Sequence, residues 1–173
     1  PDCGCTAECL HSEFNGTASS NDLKTVFHTV AYNIQQGLFD LQLLHRVEDE
    51  ILSQTPAGQH FIDLYYGQGI EITEILRNNS ELRDEAVATL QLWEPNLQAL
   101  VDGEGSNVTI TSGQVQAVQT FLYHLYVLGS SELRQTIDSE RTLHPLEQTI
   151  GMTMNQASAY LVDYQIEPTA TPT

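Results

Sequence analysis

The sequence predicts an all-α protein, a multi-helix bundle of six to eight helices, and three observations carry that expectation. Apolar residues recur every three or four positions in one segment after another, as in Leu41, Leu44, Val47 and Ile51, or Val115, Val118, Leu122 and Leu125. Residues that start and stop helices separate these segments: Thr55 with Pro56, Ser80, Gly129 with Ser130 or Ser131, and Pro145. Only the run Val108 to Thr111 has the β-branched composition of an extended piece. A chain of 173 residues with 40% apolar content is long enough for one domain with a real core.

Taken in order, residues 1–21 form a cysteine-bearing arm that ends in the N-cap candidates Ser20, Asn21 and Asp22. A single helical domain over 22–164 follows. Its first helix runs from about Leu23 to Gln36 with Val26, Val30 and Ile34 on one side, and Gly37 breaks it. The next, Leu38 to Ser53, sets its apolar stripe against the charged run Glu48-Asp49-Glu50. Thr55 and Pro56 cap and open a third, because proline at the first helical position lacks an N–H that would have had no partner anyway. Gly67-Gln68-Gly69 is expected to end that helix, with a shorter one from Ile70 to Arg77. Ser80 is the expected cap of a helix through Leu82, Leu90 and Trp93, which Pro95 restarts or kinks. Beyond the polar loop from Asp102 to Gly113 come a helix seamed by Val115, Val118, Leu122 and Leu125, a second to about Leu143, and a last one opened by Pro145. Residues 165–173 are rich in Pro and Thr and read as a solvated linker or stalk.

Charge excludes several classes of partner. The chain holds 23 acidic residues against 6 basic ones, a formal net charge of -17, and Lys24 is its single lysine. Such a surface repels phosphate, so neither nucleic acid nor an anionic membrane is expected as a partner. The apolar stretches are far shorter than the roughly 20 residues that span a bilayer. With no initiator Met and no signal segment legible, the chain is expected to be a mature fragment.

The run from Thr29-Val-Ala-Tyr32 through Leu44-His-Arg-Val-Glu-Asp-Glu-Ile-Leu52 to Thr55-Pro-Ala-Gly-Gln-His-Phe-Ile-Asp-Leu-Tyr-Tyr66 resembles the Cys-Phe-Ile-box domain at the ends of bacterial exported proteins. The resemblance extends more weakly to about Arg83. The namesake cysteine is missing, since Thr25 or Val26 stands in its place. What the resemblance implies is export and location outside the cell, without catalytic residues.

Chemistry-bearing residues are sparse. Cys3, Cys5, Cys9 and His11 are four soft donors within nine residues, a set that binds zinc when it can fold round the ion. In an exported chain a disulfide between two of the cysteines is the commoner outcome, with the third bridging another chain or free. Asp102, Glu104 and Asn107, with Ser106, offer oxygens of the kind calcium takes. The register is off by one from a calcium-binding loop, however, and Gln114 stands where the closing acid belongs, which favours an ordinary polar connection. His45 and Glu48, His60 and Asp63, and His144 and Glu147 each put an imidazole and a carboxylate one turn apart, as helical metal sites do, although a solvated face explains the same spacing. Sequons occur at Asn15, Asn78 and Asn107. Phe121, Tyr123, Tyr126, Tyr65 and Tyr66 are expected in the core, or at a contact if exposed. No nucleophile motif is present, and a hydrolase would need a cleft that brings His124 to an acid and a serine.

These features point to an acidic, non-enzymatic structural or adhesive module at the cell surface, packing on copies of itself or on domains of a host polypeptide. The alternative is a metal-binding protein that uses the cysteine arm or the helical His and acid pairs, with Zn or Ca as the ion.

Overall fold

The computed structural model describes residues 41–163, and over this span the protein is an all-α bundle of six α-helices. Helix α1, Leu41–Arg46, widens into a π-helical turn at Val47–Ile51 and closes in a 3-10 turn at Leu52–Gln54. The expected helix end at Ser53 is met, but its last turns carry the crowded acids on a wider spiral. There Ser53 and Gln54 side chains both donate to the Asp49 carbonyl.

Helix α2 then starts where Thr55 and Pro56 predict. Thr55 is extended, and its hydroxyl accepts from the Gly58 amide at 3.0 Å. Gly58 has to be glycine, because a Cβ there would stand 2.1 Å from the Leu52 carbonyl oxygen. This contact lays the 3-10 turn directly on the first turn of α2.

Helix α2 runs unbroken over Pro56–Asn78, which corrects the expected stop at Gly67 to Gly69. Each glycine costs a helix about 1 kcal/mol relative to alanine. That cost is offset because the buried stripe continues on both sides, with Ile62 before the glycines and Ile72, Ile75 and Leu76 after them. Asn79, not Ser80, caps helix α3, Ser80–Val101, by accepting from the Leu82 amide. Pro95 lies inside α3 without ending it. The reason is a polar clamp: the Gln114 amide donates to the Leu92 carbonyl at 3.1 Å and to Asn96 Oδ1 at 3.0 Å, holding the helix on both sides of the proline.

The connection to helix α4, Ser112–Leu128, turns at Gly103 with φ +78°. It includes the one extended stretch expected, as an isolated antiparallel bridge between Thr109 and Thr153. Thr111 and Gln114 form a reciprocal capping box at the start of α4. Gly129 ends that helix, and Ser130 caps helix α5, Ser131–Leu143. Pro145 opens only a 3-10 turn, Leu146–Thr149, and Gly151 at φ +82° reverses the chain before helix α6, Met154–Asp163. The continuous last helix expected from Pro145 is therefore split, and Ile150 is exposed.

Two apolar cores result. In one, Leu82, Leu125, Leu133 and Ile137 join α3, α4 and α5, with Ile72, Ile75 and Leu76 of α2 against them. In the other, Ile110, Val115, Met154 and Ala157 join the loop, α4 and α6, and Trp93 packs on them from α3. A fully buried Leu or Ile stabilises by about 1.5–3 kcal/mol, so each cluster is a substantial anchor. Among the described residues no helix is long and apolar enough to cross a membrane.

Candidate metal centre

Beside the first core, the start of α2 meets the end of α5. The Thr55 cap sets the phase of α2, so that the first turns carry Ile62 into the bundle and place His60 and Phe61 at the α5 end. On α5, Glu140 lies in the last turn and His144 is the residue that caps the helix end, four positions on and therefore on the same face. His60 Nε2 lies 3.0 Å from Glu140 Oε1, and His144 Nε2 lies 3.8 Å from Glu140 Oε2. One donor atom from each of these side chains falls within 4.8 Å of the others. His144 is 9% exposed, and the side chains of Glu140 and His60 are 22% and 29% exposed.

The electrostatics are uneven. Phe61 packs its ring 5.1 Å from that of His144 and 5.7 Å from that of His60, so an apolar wall backs both imidazoles. Burial lowers the His144 pKa; the Glu140 carboxylate opposes that shift and His60 adds to it. The His144 imidazole is accordingly held toward its neutral form, the form that binds metals. At 3.8 Å its Nε2 stands beyond hydrogen-bond reach of Glu140 Oε2, and the contact is ionic only when the imidazole is protonated. Glu140 Oε1 has His60, but Glu140 Oε2 is buried and takes no hydrogen bond. A buried carboxylate oxygen left in that state costs stability unless something else meets it.

A divalent ion would meet it. Three donors round a tetrahedral ion at about 2.1 Å stand roughly 3.4 Å apart, and here one donor atom of each residue falls within 4.8 Å of the others. Two imidazoles and one carboxylate suit zinc and its neighbours in the first transition row, whereas calcium and magnesium prefer oxygen alone. Three protein donors also leave a coordination position open.

Sequence reasoning singles out His60 and His144 but pairs each with the wrong acid. Asp63 is bonded by Gln59, and Glu147 by Gln119. Glu48 takes the Tyr66 hydroxyl at 3.0 Å, which helps raise the phenol pKa, though burial is the larger cause. Glu140 is the residue missed. Its spacing of four from His144 is visible in the sequence, but the 80 residues to His60 carry no periodic signal.

Among the loop residues proposed for calcium, the Asp102, Glu104 and Ser106 side-chain oxygens are already engaged. Asp102 accepts from Arg46 and Gln98, Glu104 accepts from Asn107, and Ser106 accepts from Asn155. This is the polar connection that the sequence favours. His124 lies 2.7 Å from Glu85 at the surface. Phe121 and Tyr126 pack on the first core as expected, whereas Tyr123 is 56% exposed. Asn78 and Asn107 are exposed. Cys3, Cys5, Cys9, His11 and Asn15 lie outside the described residues. No protein-family model, no curated protein and no solved structure matches the chain.

Proposed function

We propose that this protein binds a divalent transition metal of the zinc type at His60, Glu140 and His144, and that the ion clips the start of α2 to the end of α5. The observation that carries the reading is the Glu140 carboxylate set between two imidazoles from distant parts of the chain, with one oxygen buried and not hydrogen-bonded. The test is calorimetric titration of zinc into metal-free full-length chain in which Cys3, Cys5 and Cys9 are replaced by serine, which removes the competing soft donors. One equivalent should bind, magnesium and calcium should not, and His60→Ala, Glu140→Ala or His144→Ala should each weaken zinc at least about 100-fold. Absence of zinc binding, or affinity unchanged in all three variants, would sink the reading.

A second reading, the extracellular structural or adhesive module that associates with itself or a host chain, has its own support. Tyr123, Val127 and Leu128 are exposed along α4, at 56%, 52% and 49%. Light scattering on the full chain with and without reductant tests it, and a monomer in both conditions counts against it.

A further inference from the structure

A cavity of about 380 Å³ is lined by His144, by Asp138 and Arg141 of α5, by the apolar Leu122 and Leu146, and by Glu147, with no residue of α2 in its lining. Its size is within the range of sites that take small molecules. The charged groups are arranged unusually. Asp138 and Arg141 are one helical turn apart, a spacing at which opposite charges ordinarily meet across an exposed face. Here they form no ion pair with each other, and neither side chain has an ionic partner among the described residues. The Glu147 carboxylate, by contrast, already accepts from the Gln119 amide.

We infer that this cavity binds a small zwitterion, an amino acid or its close analogue, with its ammonium on Asp138 and its carboxylate on Arg141. A purely anionic ligand would face Asp138, Glu147 and a chain of net charge -17. A purely cationic one would leave the guanidinium facing it. A molecule carrying both charges meets both groups, and its short carbon stem lies against Leu122 and Leu146. The inference rests on the metal reading in one respect: an ion on His144 Nε2 fixes the imidazole as a rigid wall of the cavity, so metal loading should tighten the ligand.

The experiment uses β-alanine, which chelates metals weakly, titrated into the zinc-loaded chain with Cys3, Cys5 and Cys9 replaced by serine and followed by amide chemical shifts. Propionate and propylamine serve as the single-charge arms. Saturable shifts at α5 are expected, with both arms at least about 10-fold weaker, and with D138N and R141Q each weakening β-alanine by a similar factor while melting with the parent. Non-saturable shifts, equal binding of either arm, or unchanged affinity in both variants overturns the inference. The same titration on metal-free protein separates the two proposals: failure of zinc to bind sinks the metal reading alone, and β-alanine still decides the cavity.

Discussion

Two buried polar groupings among the described residues are built from similar materials and end in opposite states. At the second core Gln114 and Asn96, 5% and 7% exposed, spend their polar atoms on partners. Gln114 donates to Leu92 and Asn96 and accepts from the Thr111 amide, while Asn96 donates to the Thr109 carbonyl. Beside the first core Glu140 reaches one imidazole at 3.0 Å and leaves its other oxygen without a hydrogen bond. A fully met amide network fixes a loop and a proline-bearing helix, and it has nothing left to offer a ligand. A partly met carboxylate between imidazoles contributes little to the bare fold and has an acceptor oxygen to spare.

Breaking that contrast should produce effects of graded size. The largest is expected at the satisfied network: Gln114→Ala strands Asn96 Oδ1 and the Thr111 amide, and denaturant titration should show a loss of about 3 kcal/mol. Next is ligation. Zinc at a hundred times its dissociation constant should raise the stability of the cysteine-free parent by about 2.7 kcal/mol, and that of the His60→Ala protein by no more than about 0.4 kcal/mol in the same denaturant titration.

A smaller effect is expected from Glu140→Gln without metal. Removing a half-buried charge that lacks a full complement of partners should change stability by no more than about 1 kcal/mol, and a gain would sharpen the contrast. The smallest concerns acid. The His144 pKa is lowered in the folded state, so as pH falls below 6.5 the unfolded chain takes up its proton first and unfolding gains. Melting of metal-free protein should therefore decline with acidification through that window and be flat above it for this group. His144→Gln should remove that part of the slope.

Much of the fold is legible in the sequence because helical periodicity and end signals are local. Thr55 with Pro56 begins a helix where its side chain says it should, and so does Ser130, one of the two cap candidates after Gly129, whereas the Thr111 box is not singled out in the sequence. The errors come where tertiary packing overrides a local breaker. Gly67 and Gly69 fail to end α2 because the apolar stripe continues past them, and Pro95 fails to split α3 because Gln114 reaches across from another helix. Pro145 errs in the other direction, since Gly151 at φ +82° and the bridge to Thr109 require a turn that periodicity alone does not register.

The candidate site is half legible for the same reason. Its two imidazoles stand out as helical histidines beside acids, but the acid that joins them is chosen by the way α2 crosses α5. Nothing in a window of a few residues records that crossing.

Helix α4 gives Val115 to one core and Leu125 to the other. Ten residues of backbone, locked by their own 13-atom rings, thus couple two patches that could otherwise open separately. Losing either patch frees an end of the same rod, so partial opening at one is transmitted to the other, and heat or denaturant should see a single cooperative unit.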